Sequence, residues 1–167
     1  MIDECRFISD VMLGGLTKWL RLMGFDTLYF RAIDDSELVR IAKQQQRVIL
    51  TRDTALSKTG KTNQVILIHS NYTIEQVKEV LLYLRKKNLT HLQSSPRCTN
   101  CNGKLIIAHK QSALNNVPDY ILLNQNSFLK CEDCGKVFWH GSHKKKIDKT
   151  LDDVLKMTER HNTDSHY

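Results

Sequence analysis

Four of the five cysteines form two Cys-x-x-Cys pairs, the pattern with the most direct chemical meaning in this chain. The pairs are Cys98 with Cys101 and Cys131 with Cys134. Four thiolates at this spacing offer Zn²⁺ a closed tetrahedral set and leave no position for a reacting water. We therefore expect a structural zinc that folds this segment. A redox dithiol is the main alternative, and two pairs in one small segment make it the poorer one.

Acidic residues form the second pattern, because they recur where predicted strands end. The four residues, which follow the first, second and third predicted strands, are Asp10, Asp34, Asp35 and Asp53. In a parallel sheet the carboxyl ends of the strands meet at one edge, where ligand sites form. Carboxylates gathered there repel one another unless a cation lies between them. Mg²⁺ or Mn²⁺ suits such a set of oxygen ligands, so the pattern predicts a metal site.

Helix capping is the competing explanation for these acids. Each aspartate also stands where a predicted helix begins, and aspartate is a preferred N-cap that contributes about 1 kcal/mol. Capping alone accounts for any one of them, whereas their recurrence at one edge favours metal binding. In the stretch ILTRD (49–53), Thr51 is either a plain strand residue or a hydroxyl that orients a metal-bound water. Arg52 alternates to the other side, where it pairs with an acid or contacts a substrate.

The elements that must position these acids alternate along the first ninety residues. Gly24 is expected to end the first helix, and Thr73 to cap the last one. Strands separated by helices predict an α/β fold with an open parallel sheet flanked by helices. Because Asp10 and Asp53 must approach each other to share an ion, we expect the first strand to be central, beside the third. The predicted strands are 7–9, 26–30, 48–51 and 65–69, and the predicted helices are 13–23, 34–46 and 73–87.

The chain divides into three predicted parts. Residues 1–94 form the α/β unit, and residues 95–146 form a cysteine module of short strands with a loop that includes NNVPDY. Residues 147–167 form a tail that is partly helical and then polar, and we expect it to fray. The isolated Cys5 is interpreted as a small buried hydrophobe.

Composition sets wider limits. A chain of 167 residues that is 41% apolar has room for one core and a small accessory module. The net charge of +7 favours polyanionic partners without proving one. The sequence shows no secretory signal and no apolar run long enough to span a membrane, so we expect a cytoplasmic protein without membrane contact.

Together these segments resemble a known family. The stretches DVML (10–13), DSELVRIA (35–42) and ILTRD (49–53), in that order, are similar to the PIN-like nucleases. Residues 7–143, with CTNC, CEDC and the closing FWHGSH (138–143), resemble the Mut-seven C-terminal RNase domain family, a compact PIN-like branch with an attached zinc ribbon.

By position the resemblance implies that Asp10, Asp35 and Asp53 are the metal-binding acids. The spacing of 18 residues between the last two fits the compact PIN pattern and favours Asp35 over Asp34. The fuller PIN pattern has a further acid on an intermediate helix, which we do not find here. The implied activity is hydrolysis of RNA phosphodiester bonds, on single-stranded RNA, with catalytic Mg²⁺ or Mn²⁺ and structural zinc.

Basic side chains supply candidate contacts to the RNA backbone, and Trp19 is a candidate for stacking on a base. A solvated helix face for the cations and a core position for Trp19 are the alternatives. For substrate binding, the resemblance favours His143 over His140. The competing interpretation is a turn in which one histidine is hydrogen-bonded and the other is solvated. Lys144–Lys146 either are solvated or lie near a substrate phosphate. The candidate substrate-binding residues are Lys18, Arg21, Arg52 and His143.

Two other functions are considered. In a non-catalytic RNA- or protein-binding module, the zinc ribbon and the basic surface would bind the partner and the acids would only cap helices. A phospho-acceptor receiver domain needs a second acid beside Asp10 and a lysine after a late strand. Here Asp10 stands alone and VILIH is followed by Ser70 and Asn71, so we discount it.

Overall fold

A four-stranded parallel sheet organises the first part of the chain. The computed structural model describes residues 5–58, 64–87, 95–114, 116–139, 148–150, 152–153 and 156. The strands follow the order β2-β1-β3-β4, and every pairing is parallel. The first strand lies inside the sheet between the second and the third, as predicted. The strands are β1 (Phe7–Ser9), β2 (Thr27–Tyr29), β3 (Val48–Thr51) and β4 (Val65–Leu67).

Helices cover both faces of this sheet. A 3₁₀ turn (Val11–Leu13) leads into α1 (Gly14–Leu22), and α2 (Asp35–Gln44), α3 (Thr54–Lys58) and α4 (Thr73–Lys86) follow. Successive strand residues point to opposite faces. Phe7 and Leu50 therefore pack with α1 and α4, and Ile8 and Ile49 with α2 and α3. These buried apolar side chains supply the main stabilisation, at about 1.5–3 kcal/mol each.

Two details differ from the sequence prediction. The short helix α3, which begins directly after Asp53, is missing from the predicted helices, and it buries Leu56 against the second face of the sheet. The N-cap of α4 is Tyr72, and Thr73 is the first helical residue without a capping hydrogen bond. The Thr73 side chain packs against Gly15 instead, where an added Cβ would lie 2.9 Å from its hydroxyl oxygen.

The cysteine module contains a three-stranded antiparallel sheet, in the order β5-β6-β7. Its strands are β5 (Leu105–Ala108), β6 (Phe128–Cys131) and β7 (Val137–Trp139). Between β5 and β6 the chain forms α5 (Lys110–Ala113) and α6 (Asp119–Asn124), where the sequence predicted a loop. These helices contribute Ala113 and Leu122 to a separate small core. The residue limits of the three parts stay predictions.

The tail is helical where it is described, at residues 148–150, 152–153 and 156. A search of the described residues for a helix with the length and apolarity of a membrane span found none.

Candidate active site and cysteine cluster

Asp10 is fixed at the carboxyl end of β1. Its backbone N–H donates to the Leu50 carbonyl of neighbouring β3 at 2.9 Å. The buried carboxylate accepts hydrogen bonds at both oxygens: Oδ1 from the Met12 N–H at 2.6 Å, and Oδ2 from the Thr51 hydroxyl at 2.7 Å and the Arg52 N–H at 3.2 Å. Asp10 therefore caps the 3₁₀ turn and binds the end of β3 at once.

Asp53 lies two residues after β3, at the same edge of the sheet. Its Oδ1 accepts from the N–H groups of Ala55 at 2.7 Å and Leu56 at 3.4 Å, which caps α3. Its own N–H donates to the Thr51 hydroxyl oxygen at 2.9 Å. The Thr51 hydroxyl thus links the two residues, since it donates to the Asp10 carboxylate and accepts from the Asp53 backbone N–H.

The neighbouring acids Asp34 and Asp35 have different surroundings. Asp34 is the N-cap of α2 and accepts from the Ser36 hydroxyl at 2.6 Å and the Glu37 N–H at 2.9 Å. Hydrogen bonds from Ser36 and Glu37 hold the pKa of Asp34 below its usual value. Asp35 begins the helix, is exposed, and has no side-chain hydrogen bond or salt bridge among the described residues. Among the described residues, both carboxylate oxygens of Asp35 are without a hydrogen bond, whereas Asp34 uses Oδ1 as the helix cap and keeps only Oδ2 unbonded.

The structure brings the predicted acids to one edge of the sheet without closing a metal cluster among them. Asp10 and Asp53 follow adjacent strands, and Asp35 follows the loop after β2. Within the described part of the chain, the four cysteines are the group of three or more metal-ligating side chains whose donor atoms lie together. Metal binding by the three aspartates stays a prediction.

The predicted substrate-binding residues are placed differently from one another. Lys18 is exposed on α1. The Arg52 guanidinium donates to the Asn71 side-chain oxygen rather than to an acid, and its buried Nε has no hydrogen-bond partner among the described residues. Trp19 is half-buried and packs against the core between α1 and α4. His143 lies outside the described residues, as do His140 and Lys144–Lys146.

Arg21 lies away from the acidic edge, in contrast to the expectation. Because α1 runs back from Asp10 along the sheet, the end of the helix reaches the opposite, amino-terminal edge. The buried guanidinium donates from Nε to the Thr27 carbonyl at 2.9 Å. From Nη1 it donates to the carbonyls of Thr99 at 3.0 Å and Asn100 at 3.2 Å, between the first two cysteines. Arg21 therefore connects the sheet to the cysteine module.

The four cysteine sulfur atoms lie within 4.8 Å of one another. Cys98 and Cys134 are 3.7 Å apart, and Cys101 and Cys131 are 3.4 Å apart. A tetrahedron with Zn–S bonds of about 2.3 Å places its sulfur atoms about 3.8 Å apart. The cluster therefore has dimensions that fit one tetrahedral metal ion such as zinc.

Both cysteine loops carry the same backbone hydrogen bonds. The Cys98 N–H donates to the Gly103 carbonyl and the Cys131 N–H to the Lys136 carbonyl, each at 2.9 Å. The residue after the second cysteine of each pair has a left-handed backbone, with φ of 75° at Asn102 and 70° at Gly135. Only glycine and a few short polar residues such as asparagine adopt this conformation readily.

The thiols of this cluster differ in acidity. Burial raises the pKa of Cys101 to about 12. A hydrogen bond from the Lys136 N–H lowers the pKa of Cys134 to about 7. A metal binds thiolates, so in the free protein Cys134 is deprotonated more readily than Cys101.

A buried polar network at the amino-terminal edge was missed by the sequence reasoning. We call it the amino-edge network; its members are Arg21, Asp26, Arg47, Arg97 and Asn102. Arg97 joins it by donating from its N–H to the Arg21 carbonyl at 2.8 Å and from Nη1 to the Asn102 carbonyl at 3.1 Å. Asp26 accepts from Arg47 at 2.6 and 3.2 Å and from the Asn102 amide at 2.7 Å. Burial opposes ionisation of Asp26, but the hydrogen bonds from Arg47 and Asn102 outweigh it and hold its pKa below the usual value.

Asn102 joins this network to the cysteine cluster. Its side-chain oxygen accepts from the Thr27 N–H at 2.9 Å, while its amide donates to Asp26. A signal for this role was present in the sequence, because asparagine stands after Cys101 where the second pair has Gly135. The left-handed position is therefore occupied by a residue whose side chain binds the first unit.

The structure combines an open parallel α/β domain, with acids at the carboxyl edge of its sheet, and a small module whose four cysteines could hold a metal ion. Residues 5–151 match the family model described as the Mut7-C RNAse domain. Because the match covers most of the chain, the protein belongs to this family. Comparisons with curated proteins and with solved structures gave no match.

Proposed function

We propose that the protein is a metal-dependent ribonuclease that hydrolyses phosphodiester bonds of single-stranded RNA. Asp10, Asp35 and Asp53 are the proposed metal-binding acids. The observation that carries the proposal is made at the carboxyl edge of adjacent strands. There the Thr51 hydroxyl donates to the Asp10 carboxylate and accepts from the Asp53 backbone N–H. Membership of the Mut7-C RNAse domain family supports the same chemistry.

The donor set suits a small divalent cation. Oδ1 of Asp10 accepts one hydrogen bond, and Oδ2 of Asp53 and both oxygens of Asp35 accept none among the described residues. A carboxylate oxygen has two lone pairs, so each acid keeps at least one free position. Mg²⁺ and Mn²⁺ prefer oxygen ligands of this kind. When bound, such an ion activates water for attack on phosphorus and stabilises charge on the leaving oxygen.

The remaining side chains have positioning roles in this proposal. The Thr51 hydroxyl and the Arg52 N–H both hold Oδ2 of Asp10, which fixes how the carboxylate is turned. Nη1 of Arg52 makes no hydrogen bond among the described residues and would bind a phosphate oxygen, and Lys18 offers a further exposed cation. Such contacts hold a nucleic acid by its backbone without regard to base sequence.

The cysteine cluster has a different proposed task. We assign it one structural zinc, because four sulfur ligands complete a tetrahedron and exclude a reacting water. Zinc would hold the two cysteine loops in the arrangement that lets Arg21 and Asn102 reach across to the first unit.

A non-catalytic binding module is the second candidate, and one observation favours it: Asp10, Asp34 and Asp53 all cap helical turns. Calorimetric titration of Mn²⁺ into wild type and Asp53→Asn separates the two. Asparagine preserves the Oδ1 cap and replaces only the unbonded oxygen, so stability should be unchanged. The nuclease proposal expects Mn²⁺ binding to weaken at least tenfold; equal binding by both proteins would favour the binding module.

A further inference from the structure

In the described part of the first unit, the large apolar side chains that are exposed all lie at the edge that carries the acids. Among described residues 5–87, the large hydrophobic side chains that are exposed are Val11, Met12, Phe30 and Tyr72. Met12 is 64% exposed, Phe30 37% and Tyr72 77%. They follow β1, β2 and β4, so each lies on a loop that leaves the carboxyl end of a strand. Exposed apolar groups gathered around a candidate site indicate a binding surface.

Two consecutive glycines bring these loops together. An added Cβ on Gly14 would lie 3.0 Å from the Tyr29 hydroxyl oxygen, and one on Gly15 would lie 2.9 Å from the Thr73 hydroxyl oxygen. Tyr29 also donates from its hydroxyl to the Val11 carbonyl at 3.0 Å. The start of α1 is therefore held between the end of β2 and the start of α4. Phe30 and Tyr72 are the chain neighbours of Tyr29 and Thr73, so both adjoin the contacts that hold this turn.

Cationic side chains are interleaved with these apolar ones. Arg31 is exposed directly after Phe30. The Arg52 guanidinium donates to Asn71, the residue before Tyr72, while the Arg52 N–H donates to Asp10. The Arg52 Nε is buried, but Nη1 makes no hydrogen bond among the described residues. Arg52 thus lies between Asp10 and Tyr72 with Nη1 still available to a phosphate.

Alternation of exposed aromatic and cationic side chains fits single-stranded nucleic acid. Unpaired bases stack on aromatic rings, while arginines contact the phosphates between them. A duplex keeps its bases stacked on one another and cannot offer their faces to such a surface.

We propose that Met12, Phe30 and Tyr72 form a platform on which the unpaired bases next to the cleaved bond stack, with Arg31 and Arg52 on the flanking phosphates. This inference rests on the proposed function, because it places the reacting phosphate at the acids. It makes exposed base faces, rather than the charged backbone alone, the feature that selects the substrate.

The test compares two chains of equal length, a fluorescent oligouridine and the same ribose-phosphate chain without bases. Binding is measured by anisotropy with no added divalent metal, so that cleavage does not interfere. Wild type should bind the oligouridine more tightly than the abasic chain. Tyr72→Ala should lose about tenfold in affinity for oligouridine and almost none for the abasic chain. Tyr72→Phe should restore tight binding, since its ring still stacks.

Tyr120→Ala is the matched control, because Tyr120 is 64% exposed but lies on α6 of the cysteine module. It should bind both chains like wild type. Two results would overturn the platform: equal wild-type affinity for the oligouridine and the abasic oligomer, or a Tyr72→Ala protein that binds the oligouridine as tightly as wild type. The exposed apolar surface would then be interpreted as a binding site for a protein. Cleavage with Mn²⁺ is assayed separately: cleavage without base-dependent binding rejects the platform alone, and base-dependent binding without cleavage rejects the nuclease alone.

Discussion

Charged side chains have opposite surroundings at the two edges of the parallel sheet. At the amino-terminal edge, Nη1 of Arg47 lies 2.6 Å from Oδ1 of Asp26, and both side chains are largely buried. At the carboxyl-terminal edge, Asp35 and Asp53 are exposed and keep oxygens that accept no hydrogen bond from any described residue. Charges that are paired inside the protein stabilise one arrangement of the chain, whereas charges left open remain available to a ligand. The first edge therefore joins the two units, and the second is suited to chemistry.

A surface ion pair makes the contrast quantitative. Arg40 and Glu37 are 2.5 Å apart on α2, but their side chains are 53% and 41% exposed. Such pairs contribute about 0–1 kcal/mol, because water and salt screen them. Removing one partner of a buried pair leaves an uncompensated charge and costs about 3–5 kcal/mol. Burial, and not distance, decides which pair matters for stability.

Loss of the metal should have the largest effect. In Cys131→Ser one thiolate of the tetrahedron is missing, and we expect the cysteine module to unfold, because structural zinc sites of this type contribute on the order of 10 kcal/mol. The measurement is zinc content by elemental analysis together with thermal unfolding. Cys5→Ala is the control, since Cys5 only packs against the first core and should keep the zinc. A wild-type zinc content near zero, or trivial destabilisation of Cys131→Ser, would contradict the assignment.

Breaking the amino-edge network should have the next largest effect. Asp26→Ala leaves the Arg47 guanidinium buried without its carboxylate and removes the acceptor of the Asn102 amide. We expect a loss of about 3 kcal/mol or more in the free energy of unfolding, measured with urea in the presence of zinc. Glu37→Ala, which breaks the exposed pair, should cost less than about 1 kcal/mol. Equal losses in the two variants would show that the network is not a stabilising contact.

The ion pair of Asp26 with Arg47 also predicts how the stability of the protein depends on pH. The pKa of Asp26 is held below 3.8 in the folded protein, so its ionisation contributes stability that is fully present above pH 3.8. That contribution is lost as the pH falls through the lower pKa of the folded state. The stability difference between wild type and Asp26→Asn should therefore be constant at higher pH and shrink below it. A difference that grows on acidification would reverse the sign and contradict the assigned cause.

Asn102→Gly should have a smaller effect on stability. Glycine accepts the left-handed backbone at this position, so the cysteine loop and its metal should be preserved. The Thr27 N–H and the Asp26 carboxylate lose one partner each, which should cost about 1–3 kcal/mol. Urea unfolding combined with zinc analysis checks both points. Zinc loss in this variant would mean that Asn102 serves the cluster itself and not the contact between units.

The sequence predicted the parts of this molecule that depend on local pattern. Short apolar runs separated by helical patterns placed the four parallel strands, and the need to bring Asp10 towards Asp53 placed β1 beside β3. Cysteine spacing predicted the cluster, because each loop is built from adjacent residues. Local pattern could not predict the contacts of Arg21 and Asn102 between the two units, since the partners lie more than 70 positions away along the chain. Both side chains are polar, and a local pattern of polar and apolar residues predicts that polar side chains face the solvent.

Helix ends show the same limit at short range. Asp34 and Asp35 are adjacent and identical in type, and only the turn of the backbone decides that Asp34 caps α2 while Asp35 makes no side-chain hydrogen bond among the described residues. Thr73 has the composition of a cap, but packing against Gly15 takes its side chain elsewhere.

Substitutions at Asp34 and Asp35 should change the stability of the protein very little, but we expect them to differ greatly in their effect on RNA cleavage. Asp35→Asn and Asp34→Asn each remove one negative charge, one position apart, and each should change stability by less than about 0.5 kcal/mol, because asparagine caps as well as aspartate and Asp35 is exposed. The decisive measurement is the rate of RNA cleavage with Mn²⁺. We predict that Asp34→Asn cleaves at nearly the wild-type rate and that Asp35→Asn loses at least a hundredfold, about 2.7 kcal/mol of barrier. Equal rates in wild type and both variants would contradict the claim that the open acids of the carboxyl edge perform metal-dependent hydrolysis.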